Sequence, residues 1–327
     1  MNRKKIFIIS LLAIACIVAL VALIALPKSA KKDGKFSVVA TIFPLYDWAR
    51  EVGAGNEEIE YTLLLNSGSD MHSFQPTVKD IATISSSDLF IYVGGESDKW
   101  VDDLLRTAAG KKLKALNLMD FLSSRILEEE IKEGMQVEEE EDEEGEEGEL
   151  EYDEHIWLSL KNAVLCVGEI ESILSSLDKN NASLYASNAA SYIKRLEEVD
   201  GQYSDAVKNA GNKTLVFADR FPFRYLVQDY GLDYFAAFSG CSAETEASFQ
   251  TVRFLVNKVD GLDLNDVFVL ESSDKKIART VIDNSARKNR NIITLDSMQS
   301  ISQKDVEEGK KYLDIMESNL VQLKKGL

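Results

Sequence analysis

Thr214-Leu215-Val216-Phe217-Ala218, a helical pattern over 222–230, then Leu232-Asp233-Tyr234-Phe235-Ala236-Ala237-Phe238: the fold is decided in this passage. A short apolar run bounded by turn residues reads as a strand buried on both faces, and a helix between two such runs reads as a parallel crossover. The alternation continues outward. A helix is expected over 248–259, a strand over 267–270, a helix over 275–288, a strand over 292–295 and a terminal helix over 305–325. An earlier series repeats the theme, with strands over 36–40, 59–65, 89–93 and 113–118 and helices over 45–52, 78–86 and 100–109. Two such series predict an α/β protein of two βα lobes with parallel sheets. Between them Leu184, Ala189, Tyr192, Ile193, Leu196 and Val199 recur at near-helical spacing within 182–210. A helix of that length spans about 40 Å and makes a single long, rigid connection, with Gly201 a potential kink. The expected division is an N-terminal anchor and tether (1–35), a first lobe (36–177, with an acidic loop over 128–154), a linking helix (178–211) and a second lobe (212–327).

The 327 residues suit two ordinary domains, and 45% hydrophobic with 28% charged residues is the balance of a folded soluble body. A formal net charge of -18 argues against general nucleic-acid binding, because such a chain repels phosphate backbones. Much of that charge is local: 13 of the 17 residues in 138–154 are Asp or Glu. A block of like charge does not pack, so it is expected to be a solvated loop; the functional alternative is a weak cation collector.

Arg3, Lys4 and Lys5 precede an uncharged run of 21 residues over 6–26. That length is expected to act as an uncleaved signal-anchor; the alternative is lipidation at Cys16, within Ala13-Ile14-Ala15-Cys16. Cys166 and Cys241 form no CxxC motif and are read as small buried hydrophobes.

The chain has only two histidines. His72 stands in a loop after an expected strand, and His155 stands where the acidic loop meets an apolar run. Asp219, Glu271 and Asp296 each follow an expected strand, and in parallel sheets sites form outside the C-terminal strand ends. If both sheets face a common cleft, two imidazoles meet carboxylates there, a donor set suited to zinc or manganese. The sequence lacks GxSxG, P-loop, HExxH and GxGxxG signatures, so no enzyme activity is expected.

These residues resemble the metal-binding subunit of zinc/manganese ABC importers, the cluster A-I solute-binding proteins, over about 36–327. His72-Ser73-Phe74-Gln75-Pro76-Thr77 is similar to the family's first ligand motif, and Asp153-Glu154-His155-Ile156-Trp157-Leu158 followed by Lys161-Asn162-Ala163 to its second. The resemblance implies two lobes joined by one rigid helix, a metal cleft between them, and His72 and His155 as ligands. The fourth ligand maps to Asp296, and Glu271 to an acid beside the site. At the third position this chain has Arg220, which cannot ligate. Either Asp219 supplies an oxygen or three protein ligands share the ion with water, while Arg220 pairs with a carboxylate such as Glu246. The implied cargo is Zn2+, with Mn2+ the alternative. The implied partners are an ABC permease and its ATPase, reached from the extracytoplasmic face of the cell membrane. Two other readings are a surface adhesin with a structural or lost metal, and a hydrolase with Glu271 as base.

Overall fold

The apolar runs become two four-stranded sheets. Strands β1 (Phe36–Ala40), β2 (Ile59–Leu63), β3 (Leu89–Tyr92) and β4 (Lys114–Asn117) form the first, in the order β2-β1-β3-β4. Strands β5 (Thr214–Phe221), β6 (Asp233–Ser239), β7 (Asp266–Leu270) and β8 (Asn291–Leu295) form the second, in the order β6-β5-β7-β8. The two orders follow one pattern, with the chain switching direction across the sheet beside β1 and beside β5. The pairs β1–β3, β3–β4, β5–β6, β5–β7 and β7–β8 are parallel. Every residue of β3 and β7 is buried, which is why both read as unbroken apolar runs rather than alternating ones. The computed structural model describes residues 35–68, 70–107, 112–136, 151–242 and 246–327. The expected anchor, Cys16 and residues 137–150 of the acidic loop lie outside them.

Helices α1 (Phe43–Val52), α2 (Val78–Ser86), α3 (Trp100–Thr107), α4 (Leu118–Phe121) and α5 (Leu160–Leu177) follow in the first half. The long helix α6 (Ala182–Lys208) comes next, then α7 (Arg224–Tyr230), α8 (Phe249–Gly261), α9 (Lys276–Asn284), α10 (Gln303–Glu307) and α11 (Tyr312–Gly326). Local chemistry sets several starts. Thr77 and Asp80 form a reciprocal capping box for α2, Ser302 and Asp305 do the same for α10, and Ser159 caps α5. The single terminal helix expected from the sequence is broken in two. Gly309 takes a left-handed φ of 88° just after α10, the conformation that ends helices, and the chain restarts at Tyr312.

Helix α6 buries Tyr185, Ala189, Tyr192, Leu196, Val199, Tyr203 and Val207, a stripe stepping three or four residues at a time. It packs along α5 and also meets α1 and α11. Asn188 Nδ2 donates to the Val52 and Ala54 carbonyls (3.0 and 2.8 Å), and the Tyr203 hydroxyl donates to the Met316 carbonyl (2.7 Å). The expected link is therefore a braced column and not a bare rod. Helix α11 returns to the first half, where Tyr312 N donates to Asp47 (2.9 Å) and the Tyr312 hydroxyl to the Trp157 carbonyl (2.6 Å).

The described flanks of the acidic loop also depart from a solvated segment. Glu128 and Tyr152 form an antiparallel bridge, and Asp153 and Glu154 are buried. Arg224 donates to the Glu128 carbonyl (2.7 Å) and to the Glu130 carboxylate (2.6 Å), and Gln136 N donates to the Ala237 carbonyl (2.9 Å). Residues 128–136 thus run along the second sheet, although the sequence division assigns them to the first lobe.

Asp47 carries a measurable consequence. Burial pushes its carboxyl from an ordinary 3.8 up to about 6, against the opposing effect of the Tyr312 N–H. The folded chain thus holds this proton more tightly than the unfolded chain. Asp47's contribution to stability is highest below 3.8 and falls as pH rises toward about 6, by about 1–3 kcal/mol in all. Asp47→Asn should stabilise the fold by a similar amount at about pH 8, with the gain closing toward about pH 4. Denaturant titrations of both proteins at the two pH values check it; a gain independent of pH would contradict the assignment.

Candidate metal centre

His72 lies beyond β2, in a 3-10 turn over Met71–Ser73. Asp70 caps that turn, accepting from His72 N at 3.1 Å. The His72 ring places Nδ1 2.9 Å from Ser97 Oγ, and that hydroxyl donates its proton to Glu154 Oε2 (2.5 Å). The Ser97 oxygen is therefore left to accept, so Nδ1 of His72 carries the ring proton and Nε2 the lone pair. Glu154 also accepts from Ser97 N (2.8 Å). Burial works against ionisation of Glu154, but the bonds from His72 and Ser97 outweigh it and hold its carboxyl below the usual range. Gly95, with φ of 77°, lets the backbone pass this carboxylate, because a Cβ there would land on it.

His155 is fully buried and precedes a 3-10 turn leading into α5. Its backbone N and ring Nδ1 both donate to Asp153 Oδ1, at 2.8 and 3.0 Å. Here too a carboxylate fixes the tautomer and leaves Nε2 bare. The two Nε2 atoms stand 3.3 Å apart. Two nitrogens each about 2.0–2.1 Å from a tetrahedral zinc would be separated by about 3.3–3.4 Å, so the pair already has the spacing of two ligands.

The second sheet contributes from its strand ends. Gln299, beyond β8, holds its amide nitrogen 2.8 Å from His155 Nε2 and 3.3 Å from His72 Nε2, one N–H for each lone pair. Cys241, beyond β6, completes the only group of three His, Cys, Asp or Glu ligand atoms within 4.8 Å of one another among the described residues: His72, His155 and Cys241. Burial, with Asp153, Glu129 and Glu154 nearby, pushes the Cys241 thiol well above its usual range, so the sulfur is protonated in the protein alone.

The structure gives the three expected carboxylates other partners. Asp219 lies inside β5, at a bulge between Phe217 and Arg220, and accepts from Arg220 N (2.9 Å) and Leu270 N (3.2 Å). Glu271, after β7, accepts from Ser297 N, Ser297 Oγ and Ser300 Oγ (2.8, 2.9 and 3.0 Å). Asp296 accepts from Met298 N (2.8 Å), while Asn319 of α11 brackets its backbone N and O at 2.8 and 2.7 Å. Burial and the Glu271 charge push the Asp296 carboxyl up to about 6. None of the three joins the ligand group. Together Asp296 and Glu271 tie down the loop that carries Gln299, including Met298 at a left-handed φ of 63°.

Arg220 pairs with Asp70 (2.7 Å) and donates to the Ser242 carbonyl (3.3 Å), joining the two halves beside His72; Asp70, not Glu246, is its partner. Burial opposes ionisation of Asp70, but Arg220 and His72 prevail and lower its carboxyl. A cavity of about 510 Å³ reaches the site here, lined by Asp70, His72 and Ser73 from one half and Asp219, Arg220 and Ser272 from the other.

The sequence profile described as "Zinc-uptake complex component A periplasmic" (ZnuA) matches residues 38–326. The chain belongs to this family. It is 31% identical over 293 residues to the zinc-binding lipoprotein AdcA of Streptococcus pneumoniae, covering 89% of this chain and 56% of that protein. The chain thus spans little more than half the length of that relative. It is 29% identical to the high-affinity zinc uptake system protein ZnuA of Bacillus subtilis, covering 90% of this chain and 89% of that one. Among solved structures, the Zn(II)-bound ZnuA-like domain of Streptococcus pneumoniae AdcA superposes with a TM-score of 0.70 at 27% identity, over 90% of this chain and 99% of that one. The similarity extends to the two-lobed fold expected from the sequence.

Sequence reasoning read Cys241 as a small buried hydrophobe, whereas the structure leaves it half-buried beside the two imidazoles, and it passed over Gln299. Both follow strand ends, the same signal that singled out Asp219, Glu271 and Asp296, but a small-residue turn and a neutral amide carry no chemical flag. Gly240 gives a local test of the packing. A Cβ at this position would come within 2.9 Å of the Phe221 carbonyl and 3.0 Å of the His155 ring. Gly240→Ala should cost about 1–3 kcal/mol of stability and largely abolish the rise in melting temperature that Zn2+ gives the parent protein. Calorimetric scans with and without Zn2+ read both; a full rise in the variant would show that the ring has room to spare.

Proposed function

We propose that this protein captures a divalent transition metal, Zn2+ by preference, outside the cytoplasm and hands it to the permease of an ABC importer driven by its ATPase. The observation that carries this reading is the pair of Nε2 lone pairs 3.3 Å apart, each aimed by a proton held on the other ring nitrogen. Two like lone pairs at that distance repel unless a proton donor or a cation lies between them. Membership of a zinc-uptake family and the zinc-binding relatives support the same cargo. In this reading His72 and His155 ligate the ion, and Asp153 and Glu154 orient the rings and supply negative charge behind them. Asp296, Glu271 and Asp219 shape the surrounding loops instead of ligating directly.

Delivery requires that the ion leave as well as bind. The site lies where loops from both sheets meet, so separating the loops removes Gln299 from the imidazoles. Among the described residues no helix is long and apolar enough to cross a membrane. Tethering at the extracytoplasmic face is assigned to the N-terminal segment 1–35, as a signal-anchor or through lipidation at Cys16. The Mn2+ alternative is less favoured, since a nitrogen-rich site suits zinc better than an ion that prefers oxygen.

Isothermal titration of the purified protein with Zn2+ and Mn2+ tests the proposal. Tighter binding of Zn2+ is expected, with a loss of more than roughly a hundredfold in the His72→Ala, His155→Ala double variant, since orienting partners alone are worth 10–100-fold. Unchanged Zn2+ affinity in the double variant would remove the site assignment.

A further inference from the structure

The imidazoles supply two ligands, and a zinc-type ion wants a third protein donor and an anionic charge. Five groups fail as that donor on their present bonds. Arg220, on β5, is a permanent cation paired with Asp70. Asp219 is engaged by two backbone amides across its bulge. Asp296 and Glu271 hold the 296–300 loop and lie outside the ligand group. Gln299 reaches both rings, but its amide is neutral and a weak donor. Cys241 is left, with its sulfur within 4.8 Å of both imidazole ligand atoms and free of any disulfide.

Its position is built rather than incidental. Cys241 N donates to Glu129 Oε1 (3.2 Å), and Gly240 before it stands so close to the Phe221 carbonyl and the His155 ring that no Cβ fits without displacement. The turn after β6 is thus pressed onto one ligand while it presents sulfur toward both.

We propose that Cys241 is the third protein ligand, so that the ion is held by two imidazole nitrogens and one thiolate. The inference rests on the metal-capture reading above and deepens it by naming the donor set and the class of cargo. On ligation the Sγ–H bond breaks and its proton leaves to solvent. The sulfur electron pair forms the metal–sulfur bond, and no electron is transferred. A nitrogen–sulfur set selects thiophilic ions such as Zn2+ and rejects Mn2+, which favours oxygen. Gln299 and water are the candidates for a fourth position.

Co2+ is the probe, because a thiolate bound to it gives a sulfur-to-metal charge-transfer band in the near ultraviolet that imidazole and carboxylate do not. The full chain loaded with Co2+ should show this band, lose it when Zn2+ is added, and lack it in Cys241→Ser. Zn2+ affinity of Cys241→Ser should fall by at least about tenfold, the lower bound set by what orienting partners alone contribute, and Mn2+ affinity should fall less. The wild-type spectrum decides the question even if the variant folds poorly. Co2+ binding without the band, or Zn2+ affinity unchanged in Cys241→Ser, overturns the role of Cys241 and leaves metal capture by the histidines standing. Failure of the wild-type chain to bind either ion overturns both readings.

Discussion

The carboxylates behind the imidazoles set the chemistry of the whole centre. An imidazole is symmetric enough to present either nitrogen, and which one is bare depends on where its proton is held. Asp153 accepts a hydrogen bond from His155 Nδ1 directly, and Glu154 acts on His72 through the Ser97 hydroxyl. Both choices expose Nε2 on the inner side. Two adjacent acids in one segment, Asp153 and Glu154, therefore aim both rings from a single stretch of backbone. Their burial, at 1% and 2% exposure, keeps these interactions unscreened.

The second sheet answers with strand-end loops held by their own polar groups. Asp219 stabilises the β5 bulge, Glu271 staples the turn after β8, and Asn319 reaches from α11 to the same turn. These bonds cost polar side chains that could in principle touch an ion, and they yield fixed positions for Gln299 and Arg220. The Arg220–Asp70 pair adds a charge-neutral contact between the halves at the mouth of the cavity. A cation approaching His72 passes this pair, and the uncompensated negative charge lies deeper, around Asp153 and Glu154.

The α/β alternation was legible because buried parallel strands are short apolar runs: β1 and α2 have the expected limits, and β3 and β7 differ by a residue at one end. The imidazole pair was legible because the only two histidines stand in loops beside acid. Finer features were not, for physical reasons. Whether a strand-end acid faces an ion or its own backbone depends on a bulge or a left-handed residue, such as Met298, and neither has a reliable one-residue signature. Gln299 reaches the rings only because that loop doubles back. The ordered path of 128–136 rests on pairings with β6 and α7 that are remote in sequence, so a run rich in Glu hides them. Gly309 did carry a helix-stop signal, but a single glycine within a helix-favouring stretch is often tolerated and does not by itself announce a break.

Trp157 is two residues from His155, with ring centroids 5.2 Å apart, and its indole N–H donates to the Ser297 carbonyl in the loop that carries Gln299. Its own carbonyl accepts the Tyr312 hydroxyl from α11. One fully buried tryptophan thus lies beside an imidazole, bonds the opposing loop through its indole and bonds the last helix through its backbone carbonyl. Indole emission responds to a neighbouring imidazole's charge and to the loss of a hydrogen bond, so the chain carries a native optical gauge of its own centre, readable without any attached dye.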